Sequence, residues 1–334
     1  MRISSSANKM KNYDIVIIGH VSHDILNYRG EVSRFIGGAA YFSSFAAKKS
    51  GAELLVVTKM AEDDFGLLNG MRKEGIEVLA IPSQQTTSIE NIFVTDDVDN
   101  RKVNLLSQAD PFSMEDIPEV KARVYNLAGL FKGEFQPSMI KTLSRRGKVA
   151  LDLQAMLRTS KRPPAKQVAF PKPFRSLEDK AKRYNQRQSQ WLRNGSEHGK
   201  FAWNDWDEKD EYLPHLTYLK ADSLESKVIT GTEDRRKAAQ IMNSLGAEEV
   251  MITHSSEVIV YDGKKYYSAP FKPGNLSGRA GRGDTCFISY MTRKLSHDTD
   301  ESLKYAAALT SIKMERPGPF SGTQDDVLAR MKTF

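Results

Sequence analysis

The stretch GRAGRGDTCFISYM (278–291) changes character at one aspartate. Three glycines and two arginines stand ahead of Asp284, and behind it Phe287, Ile288, Met291 and Leu295 recur at helical spacing, which predicts a helix beginning near Asp284. Gly278, Gly281 and Gly283 let the backbone turn its N–H groups inward. A helix start adds unpaired N–H groups and the positive end of the helix dipole, so the turn suits an anion. A phosphoryl group fits there, and a carboxylate at the same point can take the proton of an attacking hydroxyl while the amides neutralise the phosphoryl oxygens. On its own such a turn is better read as a tight turn with Asp284 capping the helix. It has no Lys-Ser/Thr ending, and no strand leads into G-x-G-x-x-G, so neither P-loop nor Rossmann machinery is supported.

Outward from this turn the chain alternates short apolar runs with helical patterns. The runs at 13–21, 52–60, 124–131, 148–154, 216–222 and 248–254 are rich in β-branched residues and read as buried parallel strands. Helical patterns over 37–51 and 234–246 stop at Gly51 and Gly246. This rhythm predicts a doubly wound α/β sheet with helices on both faces. Residues 24–38 and 89–108 break it and read as hairpins, with turns at Arg29-Gly30 and 97–100, folding together as a small β-sheet lid. Ligands of open α/β sheets bind at the carboxyl ends of the strands. There the sequence places Asp24, Asp152, Gln154, Asp222, Glu225, Thr253 and His254.

The 334 residues fit one large α/β domain or two smaller ones. No apolar run approaches the roughly 20 residues of a membrane span. The polar opening MRISSSANKMKN (1–12) reads as a loose tail, since the apolar run after it is too short for a secretory signal. A single cysteine, Cys286, excludes an internal disulfide framework and a multi-cysteine metal site and points to a reducing cytoplasm. It reads as a small buried side chain rather than a nucleophile. The net charge of +7 is concentrated: residues 158–200 hold twelve Lys and Arg against three Asp and Glu. This window, with prolines at 163, 164, 171 and 173, reads as a basic insertion over about 157–200. Phe170, Phe174, Tyr184 and Trp191 interleave with its cations, but a solvated surface excursion outweighs a nucleic-acid site.

The motifs resemble, in order and spacing, those of the ribokinase-like (PfkB-type) carbohydrate kinases. AGRGDT (280–285) is similar to the family's G-A-G-D signature, GHVSHD (19–24) to its first strand and sugar-binding aspartate, and GGAA (37–40) to its N-terminal glycine motif. AEDDFG (61–66) resembles the motif opening the next helix, and KADSLE (220–225) the N-x-x-E element. TTSIEN (86–91), ADPF (109–112), GEF (133–135) and KMERPGP (313–319) resemble the myo-inositol kinase-like branch. The likeness runs from about residue 13 onward, except for the basic window.

The resemblance implies a single domain over 1–334, a three-layer α/β/α sandwich with a mostly parallel central sheet and a small β-sheet lid. It implies a cytoplasmic, ATP-dependent kinase that phosphorylates a hydroxyl of a small cyclic polyol or sugar, with myo-inositol foremost. Asp284 would be the catalytic base, and the amides of Gly281, Arg282 and Gly283 the anion hole. Asp24, Gly38, Asn91 and Gln154 would bind substrate, with Glu134 a further polyol contact. Lys220, Thr253, His254 and Lys313 would bind nucleotide, and Glu225 with Asp222 would hold Mg²⁺ through water. Among partners, a homodimer through the exposed lid edges is compatible; a membrane is not expected, and nucleic acid is disfavoured.

Three departures stand out. Phe42 occupies the place of a substrate-contacting asparagine, Arg282 the middle of G-A-G-D, and THSSEV (253–258) keeps Thr253 but neither glycine of T-x-G-x-x-G. Two rivals remain: a nucleoside kinase of the same fold, with Tyr41 and Phe42 forming a slot for the base, and a non-catalytic kinase-like scaffold whose basic insertion docks nucleic acid or protein.

Overall fold

Continuous apolar runs form the central strands because helices cover both faces of the sheet. The computed structural model describes residues 11–28, 31–93, 102–160 and 201–334. The strands are β1 (Asn12–Ile18), β2 (Ser22–Tyr28), β3 (Glu31–Gly37), β4 (Leu54–Met60), β5 (Glu77–Pro82), β6 (Ser88–Phe93), β7 (Lys102–Ser107), β8 (Lys121–Leu127), β9 (Lys148–Asp152), β10 (Arg158–Ser160), β11 (Phe201–Trp203), β12 (Tyr218–Asp222), β13 (Glu249–Thr253), β14 (Glu257–Tyr261) and β15 (Tyr266–Pro270). The α-helices are α1 (Ala39–Lys49), α2 (Asn69–Lys73), α3 (Ser138–Leu143), α4 (Gln154–Leu157), α5 (Lys209–Tyr212), α6 (Ser223–Thr230), α7 (Arg235–Ser244), α8 (Arg282–Lys294), α9 (Thr299–Met314) and α10 (Gln324–Met331).

Nine strands make the main sheet, in the order β15-β14-β13-β12-β9-β8-β1-β4-β5. Every pairing from β13 to β5 is parallel, and only the hairpin edge β13-β14-β15 is antiparallel. Alternate residues feed two cores, as the pleat requires. Ile15, Ile17 and Val56 pack with residues of α1, α8 and α9, whereas Val16, Ile18 and Val57 pack with residues of α3, α6 and α7. The result is the predicted three-layer α/β/α sandwich.

A second sheet, β3-β2-β6-β7, stands beside the first. It contains the two expected hairpins, joined by parallel pairing of β2 with β6. Their turns, at 29–30 and 97–100, lie outside the described residues. Asp24, expected just after the first strand, lies within β2. The strand expected over 124–131 starts earlier, at Lys121, and ends at Leu127, because its polar first residues pair with β1 and so give no apolar signal.

Of the basic window, residues 161–200, with Phe170, Phe174, Tyr184 and Trp191, lie outside the described residues. Its flanks pair as an antiparallel ribbon, β10 with β11. Among the described residues no helix is long and apolar enough to cross a membrane.

Candidate active site

The parallel strands β9, β12 and β13 end side by side, with Lys220 in register with Asp152 and Asp222 with Thr253. Facing these ends is the turn that starts α8. Gly281 is its N-cap, left-handed at φ 73°, and Asp284 falls in the first helical turn. Together they enclose a cavity of about 250 Å³ whose wall includes Lys220, Glu225, Thr253 and the Gly281–Asp284 turn, with Gln154, Arg158 and Arg279 also contributing.

The floor is an ion-pair cluster. The Lys220 ammonium donates to both Asp152 oxygens, at 3.1 and 2.9 Å, and lies 3.7 Å from a Glu225 oxygen. Burial opposes its charge, but Asp152, Glu225, Asp284 and Asp222 outweigh burial and hold it protonated. Lys220 also lies directly beneath the turn: a Cβ on Gly283 would sit 3.2 Å from its Nζ, so glycine lets the backbone approach the cation closely. Asp284, in the turn itself, is strongly perturbed. Burial, then the Asp152 charge, raise its pKa to about 6, against the downward pull of Lys220, Arg158 and Lys313. A carboxylate so placed is a base poised near neutrality.

Asp222 caps α6. Its Oδ1 accepts from the Leu224 and Glu225 amides at 2.8 Å each, and Glu225 returns the contact by accepting from the Asp222 amide at 2.7 Å. Burial raises the Glu225 pKa to about 8 despite Lys220. Among the described residues no group of three His, Cys, Asp or Glu side chains is placed to hold a metal ion. One oxygen of each carboxylate is thus given to backbone N–H groups, an arrangement that fits a hydrated cation held through water better than direct coordination.

Of the residues singled out in the sequence, Gln154, Lys220, Asp222, Glu225, Thr253, Gly281, Arg282, Gly283 and Asp284 share this cavity. Asp24, Gly38, Asn91, His254 and Lys313 lie outside its lining. Asp24 is buried in the second sheet and accepts from the Ile89 amide at 3.3 Å. Leu26 pairs with Asn91, so Asn91 shares a face with Asp24, two residues along β2. Gly38, at φ 95°, is the N-cap of α1, and a Cβ there would meet the His20 carbonyl at 2.3 Å. His254 closes a local turn through Ser256 at 3.0 Å. Glu134 is fully buried, accepting from the Leu130 amide at 2.9 Å beside His20, and it props its own loop. Burial pushes the Cys286 thiol up to about 12, which suits a packing residue rather than a nucleophile.

Two residues make contacts that their motifs do not signal. Lys313, buried near the end of α9, donates to the Gly278 carbonyl at 2.6 Å and to the Ala280 carbonyl, stapling the glycine turn from behind. Burial lowers its pKa to about 8, with Asp284 working the other way. Its ammonium lies 5.1 Å from the centroid of the Phe42 ring, and that ring backs directly onto Gly281. Phe42 is thus a wall beneath the turn. Neither contact has a local sequence signature, because both join residues more than thirty positions apart.

No family model matches the chain. A search of solved structures finds the sulfate complex of a pyrophosphate-dependent kinase in the ribokinase family, 32% identical, with a TM-score of 0.78 over 94% of this chain and 99% of the other. A pyrophosphate-dependent kinase of that family, complexed with a pyrophosphate analog and myo-inositol, is 31% identical with a TM-score of 0.77 over the same shares of each chain. Arabidopsis thaliana ribokinase, complexed with ribose and ATP, is 15% identical with a TM-score of 0.66 over 96% of this chain and 99% of that one, a likeness of fold alone. Among curated proteins, the cytidine kinase of Thermococcus kodakarensis is 33% identical over 89 residues, a match to 23% of this chain that spans 32% of that enzyme's length.

Proposed function

The chain belongs to the ribokinase family of kinases, and from that premise we propose that it transfers a phosphoryl group from inorganic pyrophosphate to a hydroxyl of a small cyclic polyol, myo-inositol first. The observation that carries the donor is the cavity wall. Arg158, Lys220, Arg279 and Arg282 line a space of about 250 Å³ together with the carboxylates Asp222, Glu225 and Asp284, a setting for densely charged phosphates accompanied by a cation. The loss of both T-x-G-x-x-G glycines after Thr253 agrees, as does the pyrophosphate dependence of the relatives that are about 30% identical.

In this reading Asp24, Asn91 and Gly38 orient the polyol, and β2, β3, β6 and β7 act as the lid that excludes water. Asp284 takes the hydroxyl proton as the oxygen attacks. The Gly281, Arg282 and Gly283 amides receive the transferred group, while Lys220 and Thr253 face the donor phosphates. Mg²⁺, held through water by Glu225 and Asp222, would offset phosphate charge when bound. Gln154 serves a neighbouring side chain rather than the polyol, and Lys313 acts through the turn. Replacing Lys313 by Met is expected to lower kcat by roughly ten- to a hundredfold at an unchanged donor KM. A loss confined to donor KM would return Lys313 to the donor phosphates.

The test is a matrix of donors, pyrophosphate and ATP with Mg²⁺, against myo-inositol, other cyclic polyols, hexoses, ribose, cytidine and other nucleosides, with products identified by phosphorus NMR. Pyrophosphate with a cyclic polyol should give kcat/KM about a hundredfold or more above any ATP pair, a gap of about 3 kcal/mol in transition-state binding. Preference for ATP overturns the donor, preference for a nucleoside overturns the acceptor, and silence across the matrix favours a binding scaffold.

A further inference from the structure

Building on the kinase reading above, we propose that Arg158 is a further catalytic residue, its guanidinium meeting the phosphoryl group in transit together with the Gly281–Gly283 amides, and that Trp203 is its positioning residue. Arg158 opens β10 and lines the same cavity as Asp284. It comes from the flank of the basic window, where a tally of charge hides it among eleven other cations.

The side chain is fixed on several sides. Its Nη2 donates to Gln154 Oε1 at 2.5 Å, and its guanidinium carbon lies 5.3 Å from the Trp203 ring centroid and 5.7 Å from that of Phe131. Arg158 and Trp203 are direct partners across the β10–β11 ribbon, so the stacking is written into the strand register. The Arg158 carbonyl accepts from the Lys132 amide at 2.7 Å. Gln154 is itself anchored, donating through Nε2 to the Gly129 carbonyl at 3.0 Å and to Asp152 at 3.5 Å. The Gln154 amide oxygen and the two ring faces hold the guanidinium in one orientation. The charge also reaches the reacting groups, since Arg158 pulls the carboxyls of both Asp284 and Glu225 downward against burial.

In the step itself, the acceptor oxygen bonds to phosphorus as the phosphorus–oxygen bond to the leaving phosphate breaks. The hydroxyl proton goes to Asp284, and the leaving phosphate departs with the bonding pair. Arg158 moves no proton. It balances the charge spread over the equatorial oxygens, and its planar fork suits two of them at once.

The test uses the full chain with Mg²⁺, pyrophosphate and the best polyol. Arg158→Met should lower kcat about a hundredfold or more with polyol KM within about threefold. Arg158→Lys should regain less than about a tenth of the wild-type rate, because a point charge lacks the fork. Millimolar guanidinium should partly rescue Arg158→Met and leave the wild type unmoved, a response that a structural role does not produce. Trp203→Leu should lower kcat about tenfold, with Trp203→Phe restoring it through its ring face. Wild-type kcat in Arg158→Met, or, if that variant does not fold, in Arg158→Lys, overturns the assignment. If the wild type turns over nothing, the kinase reading has failed separately. Arg158 is then judged by calorimetric titration of pyrophosphate, where a loss of affinity of about tenfold in Arg158→Met supports the contact and equal affinity removes it.

Discussion

Asp284→Asn is expected to lower kcat by about a thousandfold or more, and at about pH 8 the same variant should melt roughly 3 °C higher than the wild type. The two effects share one cause. Burial and the neighbouring Asp152 raise the Asp284 pKa to about 6, so its ionised form is held at a cost that the unfolded chain does not carry. A folded pKa above the unfolded one contributes stability below the unfolded value that is lost as pH rises through the folded value. Relative to the wild type, the asparagine variant should therefore gain nothing below about pH 3 and about 2–3 kcal/mol well above pH 6. For the wild type, kcat/KM should fall on the acid side below about 6, where Asp284 takes up its proton. Thermal melts of both proteins across pH, beside the wild-type rate profile, check the argument. A variant that melts lower at every pH, or that keeps its rate, would take the buried base away from Asp284.

Such a cost at a functional group follows from demands that no local pattern carries. The central strands were legible because each is buried on both faces and reads as an unbroken apolar run, and α8 because its apolar positions follow a glycine turn. The candidate site was legible where one motif carries it, since the Gly281–Asp284 turn and the Asp222–Glu225 cap line one cavity. It was not legible where the chemistry depends on partners remote in sequence. Phe42, standing where a substrate-contacting asparagine was expected, is a wall under Gly281. Lys313 reaches back to the Gly278 and Ala280 carbonyls from the end of a helix. Gln154, placed at a strand end and read as a polyol contact, spends its amide on Gly129, Asp152 and Arg158. In each case a partner is set by packing between segments far apart in the chain.

The Phe42–Gly281 contact makes the second large effect predictable. Gly281→Ala is expected to lower kcat by about a hundred- to a thousandfold and to cost about 2–4 kcal/mol of stability. Gly281 has φ 73°, where an L residue is strained, and an added Cβ would fall 2.1 Å from Phe42 Cγ. Something must shift, and both choices harm the site. If the turn moves, the Arg282 and Gly283 amides leave the phosphoryl position; if the ring moves, Lys313 loses the surface it lies over and its hold on the Gly278 and Ala280 carbonyls is disturbed. The strain of the backbone and the clash with the ring are separable by a double-mutant cycle. Phe42→Ala alone leaves a cavity and should cost about 3 kcal/mol. In Gly281→Ala with Phe42→Ala the new methyl occupies part of that cavity, so the pair should be less destabilised than the sum by at least about 1 kcal/mol. Denaturant unfolding of the four proteins measures the coupling. Full additivity would mean that the ring yields freely, and the loss of rate in Gly281→Ala would then belong to the left-handed backbone alone.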